Sequence, residues 1–183
     1  MPHVIITSVQ LFKLQPETSS PKPNTLTIIG STTRSDGTPR LFRIDVPALD
    51  CFFSGTGDMF AALTVARLRE AVFNTPDLES TKSWVSADEV KPTELPLAKA
   101  TVKVLASMHS ILEKTLEGRA AELERLGESG LEGLSGEEKD KAMHLRRTKA
   151  AEIRLIRNVR FLREPVVDFE VMEWRGEDLP EIR

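Results

Sequence analysis

Cysteine is nearly absent from this chain of 183 residues: Cys51 stands alone. An internal disulfide and a cysteine metal cluster are therefore both excluded. A reducing, cytoplasmic setting is the simplest expectation. Histidine is also scarce. His3, His109 and His144 are scattered without ligand spacing, and each reads as structural or solvated. No apolar run approaches the roughly 20 residues of a membrane span. The opening Met1-Pro2-His3-Val4-Ile5-Ile6 lacks the basic region and longer apolar core of a signal peptide. No charge of one sign dominates: the net charge is -3, which argues against a general nucleic-acid surface. No internal repeat is visible.

What is present fits an ordinary globular α/β chain. Hydrophobic residues make up 40% and charged residues 29%, and the length suffices for one domain with a core. The first third reads as β. His3 to Thr7 is a β-branched run, 13–24 is a loop with three prolines, and Leu26 to Thr32 is a second apolar run. Asp36-Gly37 signals a turn before Leu41 to Val46, so 25–46 is expected to form a hairpin. The first 54 residues offer strands but no convincing helix. A parallel sheet needs crossover helices, so the segment is expected to enter a sheet whose other strands lie elsewhere.

The remainder reads mostly as helix. Phe60, Leu63, Leu68 and Val72 recur at helical intervals from Asp58 to about Phe73. Residues 74–96 are expected to be a loop or insertion. A long helix is expected over 97–126, with Val104, Leu105, Met108, Ile111 and Leu112 as its apolar face. Four glycines between Gly127 and Gly136 should break it in a mobile linker. Glu137 to about Asn158 is helix-prone, and Val166 to Trp174 is expected to supply a last strand.

The stretch that carries chemistry is Phe52-Phe53-Ser54-Gly55-Thr56-Gly57-Asp58. Two glycines lie where the chain passes from a loop into a helix. Glycine permits positive φ and close backbone approach to a ligand. The N–H groups at a helix start are unpaired and the local dipole is positive, which suits phosphate oxygens. Asp58 at the end of this cradle can accept a proton from an attacking hydroxyl, and positioning with charge stabilisation supplies most of phosphoryl-transfer catalysis. The plain alternative is an aspartate acting as an ordinary N-cap.

The flanks favour the functional reading. Phe52-Phe53-Ser54-Gly55-Thr56-Gly57-Asp58-Met59-Phe60-Ala61-Ala62 resembles the Gly-Thr-Gly-Asp signature of pyridoxal kinases in the ribokinase-like superfamily. Val4-Ile5-Ile6-Thr7-Ser8 is similar to that family's strand ending in Thr-Ser. Leu26 to Ser31 and Phe42 to Pro47 resemble its intervening hairpin. Order and spacing agree over residues 3–63.

The resemblance implies a partial ribokinase-like fold: the C-terminal part of a mostly parallel sheet with a β-hairpin, flanked by helices, spanning 1–183 with 13–24, 74–96 and 127–136 as loops or insertions. It implies ATP-dependent phosphorylation of the 5′-hydroxyl of pyridoxal-type substrates, with Mg2+ and K+ as cofactors. Asp58 would be the base, and Gly55, Thr56 and Gly57 the anion hole. Thr7 and Ser8 would lie beside the nucleotide phosphates, with Thr7 at a monovalent cation site. Leu49, Asp50 and Phe53 would border adenine and ribose. The resemblance also implies that the family's N-terminal half, with most pyridoxal contacts and much of the homodimer interface, is not in this chain, so activity and dimerisation of these residues alone are not expected. Two other readings remain: a related kinase for another hydroxymethyl substrate, and a non-catalytic nucleotide-binding or interaction protein.

Overall fold

The computed structural model describes residues 1–9, 25–127 and 131–175. The loop read at 13–24 lies outside the described residues, as do residues 128–130 of the glycine-rich stretch.

Three β-branched runs form consecutive strands, β1 (His3–Val9), β2 (Thr25–Thr33) and β3 (Pro39–Pro47). They pair antiparallel in the order β1-β2-β3, and a short β4 (Val171–Glu173) adds beside β3. Every strand ladder among the described residues is thus antiparallel. The parallel contact found there is an isolated bridge between Ser54 and Glu152. The β2–β3 turn closes with Arg34 N–H to Thr38 O at 2.8 Å and Gly37 N–H to Arg34 O at 3.1 Å.

Alternation along the strands sends Ile28, Phe42, Ile44 and Val46 to one face, where they are buried. Two long helices cover that face. Helix α1 (Thr56–Phe73) contributes Phe60 and Leu68, and α2 (Pro96–Leu126) contributes Leu97, Ala98, Val102 and Leu105. Phe42 lies across β2 at Gly30: a Cβ built on Gly30 would sit 2.0 Å from the Phe42 ring. Glycine at 30 is what lets this ring lie flat on the sheet.

The segment between α1 and α2 contains three short 3-10 turns, at Leu78–Ser80, Lys82–Trp84 and Pro92–Glu94. It is pinned to the sheet. Arg40 is buried, and its guanidinium donates to the backbone oxygens of Thr33, Ser86, Ala87 and Val90 at 2.6–3.3 Å. His3 Nε2 adds a bond to Ser83 O at 2.8 Å.

The helix expected over 137–158 is shorter than its composition suggests. Helix α3 (Gly136–Ala150) opens on a capping box between Ser135 and Glu138. The chain then turns at Ala151, where Glu152 bridges Ser54 and the Arg154 N–H reaches Thr115 Oγ1 at 3.2 Å. A 3-10 turn at Ile156–Asn158 leads into the short α4 (Val159–Arg163). Tertiary contacts to α2 replace a continuous helix here.

Candidate functional site

Sequence and backbone conspire at two places to leave polar groups at one edge of the core. The first is the end of β1. Ile6 faces Ile29 while Val9 faces Thr27, so β1 carries one extra residue, a bulge at Thr7-Ser8. Ser8 absorbs it with φ 60°, a left-handed conformation that costs a non-glycine residue about 1–2 kcal/mol. Such strain is concentrated at functional sites.

The second is the start of α1. Gly55 holds φ 84° and no side chain caps the helix. Met59 N–H bonds Gly55 O at 3.1 Å. The N–H groups of Thr56, Gly57 and Asp58 precede that first turn and have no protein acceptor among the described residues. A Cβ on Gly57 would meet nothing within 4 Å, so the helix start is open to an approaching group. Unpaired donors at the positive dipole end of a helix are groups of the kind that suit an anion.

The two places meet at one cavity of about 600 Å³. Typical ligand pockets span about 300–1,000 Å³. Thr7, Ser8, Leu49, Phe53, Thr56 and Gly57 all line it, so six of the sequence-predicted residues come together. Phe53 is buried in the wall, whereas its neighbour Phe52 is 84% exposed at the same cavity. Gly55, Asp50 and Asp58 are off the lining. Asp58 sits exposed in the first turn of α1, and Asp50 is exposed in the loop before it.

Helix α2 supplies wall residues that the sequence did not reveal as site residues: Leu105, Met108, His109 and Leu112. Three of them read simply as the apolar stripe of a long helix. His109 was one of three scattered histidines. Only the packing of α2 across the sheet shows that the stripe faces a cavity as well as a core. The His109 ring stands edge-on to Phe169, with centroids 5.4 Å apart, and its Nε2 lies 3.2 Å from Glu113 Oε1.

No group of three or more His, Cys, Asp or Glu among the described residues is placed to hold a metal ion. The donors at the polar end of the cavity are hydroxyls and backbone N–H groups. That set suits phosphate oxygens, and a magnesium ion that travels with a nucleotide takes most of its ligands from phosphate and water. No described helix is long and apolar enough to cross a membrane.

Comparison with known proteins bears on the fold. No family model matches the chain. A candidate pyridoxal kinase of Schizosaccharomyces pombe is 39% identical over 95 residues, which are 51% of this chain and 26% of that protein. Solved structures of pyridoxal kinase from Leishmania donovani share the fold. The complex with ADP superposes with a TM-score of 0.54 at 19% identity, covering 95% of this chain and 40% of that one. The complex with ADP and pyridoxine gives 0.53 at 20% identity, with 39% of that chain covered. The fold is thus an α/β fold related to that of the ribokinase-like pyridoxal kinases. The chain spans about a quarter of the curated relative and two-fifths of the solved ones.

Proposed function

We propose that this chain carries the nucleotide-handling part of a pyridoxal kinase, which transfers the γ-phosphoryl group of ATP to the 5′-hydroxyl of pyridoxal and related B6 vitamers. The observation that carries the reading is the convergence of the β1 bulge, the 49–53 loop and the open start of α1 on one cavity. The similarity to the yeast protein, whose name is that of a kinase of this kind, supports it.

In this reading the nucleotide occupies the cavity with its base toward Leu49 and Phe53. Its phosphates lie between the Thr7 and Ser8 hydroxyls and the N–H groups of Thr56 and Gly57. These groups stabilise charge that develops on the transferring phosphoryl, and they need no reorganisation to do so. Asp58 stands one helical step beyond the cradle, exposed to an incoming substrate. It accepts the proton of the attacking hydroxyl as that oxygen bonds the γ-phosphorus and the bond from phosphorus to the bridging oxygen of the departing ADP breaks. The magnesium ion bound with ATP would neutralise phosphate charge. The Thr7 hydroxyl is the group offered to a monovalent cation such as potassium. A cytoplasmic setting suits the single, half-exposed Cys51.

The chain spans about 40% of the solved relatives, so turnover is tested in a complete domain. Residues 3–175 replace the matching part of the Leishmania donovani enzyme, and ATP-dependent phosphorylation of pyridoxal is followed. The expected result is turnover that falls by about 10²–10⁴-fold in Asp58→Ala. An Asp58→Ala chimera as active as its parent would remove Asp58 from the mechanism.

A further inference from the structure

Helix α1 is apolar nearly all round. Of its 18 residues, only Asp58, Arg67, Arg69 and Glu70 are charged. A helix of that composition is normally covered on every side. One side of α1 is covered: Phe60 and Leu68 pack on the core, and Met59 and Val72 are buried. Arg67 is tied to the end of α4, and Glu70 to Lys103 on α2. The opposite face is open. Val65 is 63% exposed and Phe73 57%, and Asp58, Ala62 and Arg69 are exposed beside them.

Asp58, Ala62, Val65 and Arg69 follow one another at steps of four, three and four, the spacing of a seam along which two helices pack. That spacing reads the same in both directions. Two antiparallel copies of α1 related by a twofold axis therefore meet in a register where Asp58 of each lies opposite Arg69 of the other, and Ala62 lies opposite Val65. Both charges are free to do so. Among the described residues Asp58 has no hydrogen bond or ion pair, and the contact of Arg69 is with the Phe73 ring, 5.6 Å from its centroid. Alanine at 62 keeps the surface low enough for helix axes about 8–10 Å apart. The same register carries Phe73 past the start of the facing helix, toward Phe52, which is 84% exposed in the loop before it.

We propose that the outer face of α1 is a self-association surface that takes α1 of a second copy of this chain, antiparallel and in that register. The antiparallel pair opposes unlike charges twice, whereas a parallel pair would set Asp58 against Asp58 and Arg69 against Arg69. Two helix faces bury less surface than a permanent dimer needs, so the pairing is concentration-dependent. In the pair Asp58 faces an arginine instead of solvent. Pairing and acceptance of a substrate proton by Asp58 then exclude each other.

Sedimentation equilibrium of the 183-residue chain, without nucleotide, tests this. The weight-average mass is expected to rise with concentration from 20.4 kDa toward twice that. Val65→Glu, Asp58→Arg alone and Arg69→Asp alone should each weaken association by about tenfold or more. An equimolar mixture of the Asp58→Arg and Arg69→Asp chains should associate again, because both contacts of the mixed pair join unlike charges. A misfolded variant would not recover in this way. Should circular dichroism show either chain to be unfolded, Asp58→Asn and Arg69→Gln read the same seam, each with a several-fold loss. A mass that stays at 20.4 kDa from about 10 µM to about 1 mM overturns the proposal. So does a dimer that all three substitutions leave intact, and so do single-variant chains that stay apart when mixed. Each of these outcomes is independent of whether the cavity holds a nucleotide.

Discussion

Two glycines separated by one residue do different work at the start of α1. Gly55 is required by its backbone: φ is 84°, while a Cβ there would find its nearest neighbour, Ile153 Cδ1, at 3.9 Å. Gly55→Ala is therefore expected to cost about 1–2 kcal/mol from conformation alone, read as a lower midpoint in urea. Gly57 is helical and faces open space. Gly57→Ala should leave the midpoint unchanged or raise it by up to about 1 kcal/mol, yet place a methyl group where phosphate approaches. Its ATP affinity is expected to fall about tenfold or more. Stability and binding moving in opposite directions at one residue would be the signature of a ligand-facing backbone. A Gly57→Ala variant with unchanged ATP affinity would remove Gly57 from the cradle.

At this scale the site was half legible. Gly55-Thr56-Gly57 is read from local chemistry, because positive φ and helix starts leave marks in sequence. Thr7 and Ser8 were legible by resemblance alone; the bulge that turns them toward the cavity depends on registry with β2, which no local pattern encodes. His109 left no signal, since its position at the wall follows from how α2 crosses the sheet. The burial of Arg40 left a mixed signal: alternation puts it on the face of Phe42, Ile44 and Val46, while its charge reads as exposed.

Elements are tied together by a few charged groups. Glu70 on α1 accepts from Lys103 Nζ on α2 at 2.7 Å and from Arg67, which also donates to Leu162 O. The hydrogen bond from Lys103, then that from Arg67, holds the Glu70 carboxyl below the usual glutamate range. Its folded pKa is depressed, so its stabilisation is present above the unfolded value and is lost as pH falls through the folded one. Glu70 is about one-third exposed, so the contribution is discounted to about 0.5–1 kcal/mol. Glu70→Gln should lower the thermal midpoint at neutral pH, and the difference should shrink as pH falls below the ordinary glutamate range and through the lower folded value. An equal loss at every pH would assign the effect to packing instead.

Arg40 makes the corresponding tie between sheet and connecting segment. Burial lowers its pKa, with desolvation the largest cause, and four backbone oxygens offset that cost in place of a carboxylate. Arg40→Met fills the space but leaves those oxygens without their donor. It is expected to destabilise by about 2–3 kcal/mol and to speed amide exchange in residues 84–90 ahead of the β2–β3 ladder. Uniform exchange across both would argue against a local clamp. The segment 74–96 holds three short 3-10 turns, and its Leu78, Ser86 and Leu95 are buried.

For the whole molecule, helices cover one face of a four-stranded sheet, and the cavity opens where strand end, loop and both long helices meet. The hairpin, both long helices and their order were readable from periodicity and turn chemistry. The end of α3 was not, because Glu152 and Arg154 make contacts with distant residues that outweigh helix propensity. At β1, Val4 and Ile6 remain 41% and 53% exposed on the edge strand, apolar surface of a kind that further chain could cover.

The central claim is that one cavity, built from β1, the 49–53 loop and the start of α1, holds a nucleotide. Titration of the isotopically labelled chain with Mg-ATP, followed by amide chemical shifts, tests it most directly. The largest shifts are predicted at Thr7, Ser8, Thr56 and Gly57, with smaller ones at Phe53 and His109. Shifts confined to the distal helices, or none at all from a folded chain, would contradict it.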